Sequence, residues 1–150
     1  METEDFSAEI HISVIPNSVY RAITNEIDKW WTTSTTQAEK VGDLLVTRFE
    51  KTTCWKMQVM RAVPDQKLGW KVVEAHHDVE EISAKDEWKD TSMEWSIRET
   101  GAGSALTFVH RGLVPSLECY KICNAGWSYF LQSLKEYLET GKGHPHVTSR

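Results

Sequence analysis

Residues 6–14, FSAEIHISV, alternate strictly, with Phe6, Ala8, Ile10, Ile12 and Val14 on one face and Ser7, Glu9, His11 and Ser13 on the other. A period of two with one apolar side predicts a half-buried strand. Pro16 ends it, and Asn17 or Ser18 is placed to cap a short helix with Val19, Tyr20 and Ile23 on its apolar face, ending near Thr24 and Asn25. A second short helix is predicted for about 26–31, closing on Trp30-Trp31. After a polar, Thr-rich stretch over 32–43, strand patterns follow at about 44–50, 53–63, 67–74, 91–100 and 104–113, with no helical pattern between them. Their short connections predict an antiparallel meander, interrupted only by a longer, charged connection over 75–90.

The two hairpins define a shared face. With Val63 opposite Leu68 across the Pro64-Asp65 turn, Trp55, Met57, Val59, Leu68, Trp70 and Val72 fall on one side, and Lys56, Gln58 and Lys71 on the other. A four-residue loop over 101–104 sets Trp95 opposite His110 and Ile97 opposite Phe108, leaving Glu94, Ser96, Arg98 and Thr107 outside. A one-sided sheet must bury its apolar face against another layer. The cover is a long helix after Pro115, where Cys119, Cys123, Trp127, Phe130, Leu134 and Leu138 recur at spacings of three and four. Gly141 is a C-cap, and 141–150 is expected as a flexible tail with no core of its own.

Gly126-Trp127 is an unusual pair inside that helix. Glycine in a helix interior costs about 1 kcal/mol relative to alanine, so a packing benefit is expected. The reading is that Gly126 lets the helix approach a strand closely while Trp127 projects beneath the sheet.

Composition narrows the function classes. The 150 residues fit one domain over 1–150, with 40% apolar and 26% charged residues and a net charge of -5, which argues against a broad nucleic-acid-binding face. No apolar run reaches membrane-spanning length, and the acidic start METEDFSAEI is unlike a signal or transit peptide, so a cytoplasmic location without membrane insertion is expected. Three cysteines, Cys54, Cys119 and Cys123, cannot all pair and are read as reduced thiols. Cys119 and Cys123 share a helix face but have no further ligand nearby in sequence, so they are read as small buried residues and not as a metal or redox pair. Seven tryptophans (Trp30, Trp31, Trp55, Trp70, Trp88, Trp95, Trp127) are more easily placed around a cavity than inside a solid core.

The order of elements, together with IPNSVYRAITNEIDKWW (15–31), LTFVHRGLVP (106–115) and GWSYFLQSLKEYLETGKGHP (126–145), resembles the SRPBCC (START-like, helix-grip) superfamily. Within it, the chain resembles the branch related to the C-terminal domain of the activator of the 90-kilodalton heat-shock protein ATPase. The resemblance implies an α+β helix-grip fold, a curved antiparallel sheet with two short helices and a long C-terminal helix covering a cavity. In many relatives such a cavity holds an apolar or amphipathic small molecule. It also implies two alternatives, an interaction module acting on a chaperone ATPase and a cyclase- or hydrolase-type enzyme using the same cavity. The single domain is expected to lack a separate N-terminal chaperone-binding region, and a weak homodimer is in keeping with such domains.

No nucleophile elbow, phosphate loop, dinucleotide fingerprint or zinc-type Cys/His spacing is present, so no catalytic residue, metal or cofactor is assigned. The expected lining of the cavity is Trp31, Trp55, Met57, Trp70, Trp95, Phe108, His110, Trp127 and Phe130, around a small apolar or aromatic ligand. His110 is the candidate orienting contact, and Glu74 and Arg61, in phase with the inward residues, are the acid–base candidates that catalysis would need. Trp88 is read as partly exposed or lying over the cavity mouth. His76-His77-Asp78 with Glu80-Glu81 is read as a solvated loop, and His144-Pro145-His146 as part of the tail.

Overall fold

A computed structural model describes residues 5–50, 52–78, 83, 85–114 and 116–147. The elements are β1 (Phe6–Ile12), α1 (Pro16–Asn25), a 3-10 turn (Ile27–Lys29), β2 (Leu44–Phe49), β3 (Thr53–Val63), β4 (Lys67–His76), β5 (Ser92–Thr100), β6 (Gly103–Arg111) and α2 (Tyr120–Thr140). The six strands form one antiparallel sheet in the order β1-β6-β5-β4-β3-β2. β2 to β6 are a meander, and β1 closes the far side against β6. The chain between β1 and β2 therefore crosses from one sheet edge to the other, and α1 and the 3-10 turn make that crossing. With α2 covering the apolar face, this is the α+β helix-grip architecture.

Local chemistry explains most boundaries. Pro16 occupies the first helical position of α1, where its missing N–H costs nothing; Ile15 is the N-cap, so neither Asn17 nor Ser18 caps. The apolar face of α1, with Val19, Tyr20 and Ile23 at its centre, is buried. Gly141 ends α2 in the left-handed region (φ 88°), and its N–H returns to the Tyr137 carbonyl at 2.8 Å. Leu131 joins Trp127 and Leu134 on the buried face of α2, while Phe130 is half-buried at its side.

Register differs from expectation in both hairpins, without changing which residues face inward. Val63 pairs with Lys67, one residue off the expected match, because the turn holds three residues with Asp65 left-handed (φ 66°). Such a slip alone would turn β3 over. A bulge between Val59 and Arg61 undoes it, so Val59 pairs with Trp70, Met57 with Val72, and all face the core. A second irregularity, between Lys56 and Met57, carries the partner strand past Val73. Consequently Arg61 and Glu74 face outward, and Glu74 pairs with Lys56 at 3.5 Å. In the β5–β6 hairpin the loop is only Gly101-Ala102, so Trp95 pairs with Phe108, Met93 with His110 and Ile97 with Leu106. That shift of two preserves the faces.

The segment after Gly141 is fastened to the domain as far as His146. Ser133 Oγ donates to the Trp30 carbonyl at 2.8 Å and accepts from His144 N–H at 2.6 Å. His146 exchanges backbone bonds with Trp31 and Thr33, and its ring reaches Glu50 at 2.7 Å. Gly143 is required here: a Cβ would meet the Lys29 carbonyl at 2.5 Å. No helix among the described residues is long and apolar enough to cross a membrane.

Candidate functional site

The aromatic residues separate into two zones. Trp30, Trp70, Trp95 and Phe108 are no more than 1% exposed and interlock as solid core, with Trp95 at 4.3 Å from Phe108 and edge-on to Trp70 at 5.4 Å. Trp30 Nε1 donates to the Ala22 carbonyl at 2.9 Å. Nearer the N-terminal half of α2, a pocket of about 170 Å3 is bounded by Trp31, Phe49, Trp55, His77, Trp88, Ile122, Cys123, Gly126, Trp127 and Phe130. Of the expected lining residues, Trp31, Trp55, Trp127 and Phe130 border this space. Met57, Trp70, Trp95, Phe108 and His110 lie in the packed core instead, because the pocket occupies the β2–β3 side of the helix and not the centre of the sheet.

The rings around the pocket support one another. Trp55 stacks on Trp88 at 4.4 Å, Trp88 lies nearly parallel to Trp127 at 5.9 Å, and Trp31 sits 5.1 Å from Trp127. Phe49 meets Trp55 edge-on at 5.2 Å and Phe130 at 5.7 Å. Trp88, expected near the surface of its charged stretch, is only 5% exposed and forms part of the wall. The Gly126 reading is corrected: a Cβ there would meet nothing within 4 Å, so the glycine opens the pocket wall instead of admitting a close strand. Within the wall, Trp55 Nε1 is buried with no hydrogen-bond partner among the described residues.

His110 is fully buried, and its hydrogen bonds define its state. Trp127 Nε1–H donates to His110 Nδ1 at 3.0 Å, so the proton resides on Nε2, which donates to Thr91 Oγ1 at 2.9 Å. Thr91 in turn donates to the Trp88 carbonyl at 2.5 Å. Each donor in this chain has one acceptor. Burial pushes the imidazole pKa down to about 3. His110 is therefore a neutral structural link between β6, α2 and the 88–91 segment, and it leaves no ring nitrogen free for a ligand.

A second buried histidine has the opposite character. His77 follows directly on β4 and is 8% exposed, with its backbone N–H donating to the Lys85 carbonyl at 2.6 Å. Its Nδ1 has no hydrogen-bond partner among the described residues. Its neighbours are Trp55, 5.2 Å away, and the thiols of Cys119 and Cys123; one ligand atom of each of the three residues lies within 4.8 Å of the others. Cys119 and Cys123 are successive turns of one helix face, with Cys123 N–H bonded to the Cys119 carbonyl at 2.8 Å. Trp88 Nε1 donates to Cys123 Sγ at 3.3 Å. The Cys123 thiol and nearby His77 hold Cys119 down to about 6, while its proton shared with Cys119, together with burial, pushes Cys123 up. Glu87 accepts from the backbone N–H groups of Glu118 and Cys119 at 3.0 Å each, fixing the start of the helix.

The sequence reading found no third ligand for the cysteines and placed His77 in a solvated loop. The fold joins these two rejected patterns, because the end of β4 comes alongside the first turn of α2. His76 and Asp78 are exposed; Asp78 accepts from Thr52 Oγ1 at 2.5 Å, which holds its carboxyl below the usual range. Glu80 and Glu81 lie outside the described residues. Nothing in the local sequence marks His77 as buried; the signal lies in the pairing of β3 with β4.

A curved antiparallel sheet closed over a long C-terminal helix, with an aromatic pocket between them, defines a protein of the SRPBCC superfamily. The model of the family described as Activator of Hsp90 ATPase homolog 1-like protein matches residues 13–139, and the chain belongs to that family. It is similar to the Aha1 dimer from Colwellia psychrerythraea, at 26% identity and a TM-score of 0.77, over 93% of this chain and 99% of that one. A protein from Mesorhizobium loti matches at 22% identity and a TM-score of 0.76, over 90% of this chain and 96% of that one. A protein of the dynemicin biosynthetic locus matches at 17% identity and a TM-score of 0.69, over 93% of this chain and 48% of that one. No curated protein matches the chain.

Proposed function

We propose that this protein binds a small, predominantly apolar ligand about the size of one or two aromatic rings in the pocket between the β2–β3 side of the sheet and α2. The observation that carries the reading is the wall itself: six aromatic rings around about 170 Å3, opened by a glycine on the helix. A dry cavity of about 150 Å3 is enough to hold benzene in a protein interior. A planar ring gains offset or edge contacts with Trp31, Trp55, Trp88 and Trp127. Trp55 Nε1 supplies a donor for one oxygen or nitrogen on the ligand, which favours a phenol- or indole-like compound over a pure hydrocarbon.

Of the residues considered for acid–base chemistry, Arg61 and Glu74 face outward and His110 is committed to Trp127 and Thr91. That arrangement supports binding over a cyclase or hydrolase reading that uses those groups. Docking on a chaperone ATPase is a second reading, supported by the family's description, and the Aha1 dimer among the similar structures supports pairing of two chains. Adding the protein to its cognate chaperone and following ATP turnover tests the former; sedimentation over a concentration series tests the latter.

The pocket reading is tested by calorimetry and Trp fluorescence with one- and two-ring aromatic compounds. The expected result is saturable binding that Gly126→Leu abolishes while the fold, followed by circular dichroism, is kept. Absence of any binding tighter than about 1 mM, or equal binding by Gly126→Leu, overturns it.

A further inference from the structure

We propose that His77, Cys119 and Cys123 form a site for one zinc ion, with two thiolates and an imidazole as protein ligands and the fourth position left to water or a small donor. The donor set is the first argument. Two sulfurs and one imidazole nitrogen suit a borderline-soft ion such as Zn2+, and hard oxygen-seeking cations are disfavoured. The spacing is the second. The three ligand atoms lie within 4.8 Å of one another, and around a tetrahedral zinc such atoms stand roughly 3.5 to 3.8 Å apart. Side-chain rotations that draw them together by about 1 Å would complete the set.

The third argument is the unmet valence of His77. An imidazole nitrogen buried without a partner is costly, and native proteins rarely tolerate it. His110, buried on β6 and bonded to Trp127 of the same helix that carries Cys123, has both nitrogens occupied, so the unpartnered nitrogen of His77 does not follow from burial alone. Outer contacts are also in place. Trp88 Nε1–H points its hydrogen bond at Cys123 Sγ, and the backbone N–H of His77 donates to the Lys85 carbonyl, which fixes the main chain that carries the imidazole. Donors to a metal-bound sulfur of this kind stabilise the thiolate and orient it. Glu87 anchors the backbone that carries Cys119.

This site touches the proposed ligand pocket, since His77 and Cys123 both border it, but it does not rest on the apolar ligand reading. With three protein ligands the ion is of the open type, and a donor atom on a pocket occupant can take the fourth position.

The test uses reduced, chelator-treated full-length protein titrated with Co2+ and then Zn2+. The expected result is one equivalent of Co2+ giving thiolate-to-cobalt charge transfer in the near ultraviolet and visible bands of tetrahedral strength, both displaced by one equivalent of zinc. Cys119→Ser, Cys123→Ser and His77→Leu are each expected to weaken zinc by more than about tenfold, the loss that even outer-shell changes reach at metal sites. Cys54→Ser and the double variant His144→Ala/His146→Ala should bind as the parent does. If a cysteine variant fails to fold, His77→Leu, which keeps both thiols, decides the question. No charge-transfer band in the parent protein, or a band that survives in Cys123→Ser or His77→Leu, overturns the site; loss of binding in the tail variant identifies a surface histidine chelate and overturns it equally.

Discussion

Two buried histidines lie against the same aromatic wall, and they are bound to it in opposite ways. His110 sits 4.6 Å from the Trp88 ring and its two nitrogens close a directed chain from Trp127 to the Trp88 carbonyl. His77 sits beside Trp55 and two thiols, and its Nδ1 has no hydrogen-bond partner among the described residues. The first histidine holds three elements in place by being satisfied. The second is surrounded by groups that share an affinity for a soft ion. Burial alone does not tell them apart; hydrogen bonding does.

The largest expected effect breaks the closed member of the pair. His110→Leu removes both bonds, leaves the Trp127 N–H buried without an acceptor, and is expected to cost about 3 kcal/mol in urea unfolding. The pH dependence comes next. His110 stays neutral in the folded protein down to about 3, whereas its ordinary value is 6.5. Below that value the unfolded chain takes up a proton the folded state refuses, so stability falls by about 1.4 kcal/mol per pH unit, or about 2 kcal/mol by pH 5. Above 6.5 both states are neutral and the contribution vanishes. Unfolding curves across that window should show the slope in the parent and a flatter line in His110→Leu.

Smaller changes sharpen the contrast. Thr91→Val leaves His110 Nε2–H without its acceptor, while the Trp88 carbonyl keeps the Thr91 backbone N–H, and the expected loss is about 1–2 kcal/mol by the same measurement. Gly126→Ala is expected to raise stability by about 0.5–1 kcal/mol, since the added methyl enters open space and helix propensity improves. A destabilised Gly126→Ala would restore the close-approach reading. His77→Leu in metal-free protein should raise stability by up to about 1 kcal/mol, because a costly unpartnered polar group is exchanged for an apolar one of similar volume. Zinc should then stabilise the parent and leave that variant unchanged.

Much of the fold was legible because its signals are local. Alternation in FSAEIHISV, the run of strands from Leu44 to Arg111, and the three-and-four spacing through Trp127 and Leu134 each fix an element and its buried side without reference to the rest. The face of β3 was read correctly from alternation even though its partner register was off by one at the turn, since the bulge at Met60 compensates. That compensation also explains a failure. Arg61 and Glu74 were placed in phase with the core by counting in twos, and an inserted residue in each strand carries them out. A bulge leaves no consistent mark in composition.

The site was legible only in part. Trp31, Trp55, Trp127 and Phe130 could be assigned to the space beneath the sheet because each lies on the apolar side of a periodic stretch of sequence. Phe49, Trp88 and His77 could not, since they come from a sheet edge and a charged connection whose path depends on which strand it leaves. The seven tryptophans suggested a cavity wall, yet Trp30, Trp70 and Trp95 fill solid core. Edge-to-face packing lets large rings interlock without a void, which composition alone does not reveal.

The amino-acid order by itself determined the elements, their buried faces and the grip of sheet on helix, because periodicity acts over a few residues and the apolar side of each element has only one place to go. Tertiary structure decided which polar groups are spent. Whether an imidazole meets an indole N–H and a threonine hydroxyl, or lies beside two thiols with one nitrogen unpartnered among the described residues, depends on distances between segments far apart in the chain. At His110 and His77 those distances set one residue to holding the fold and leave the other open to chemistry.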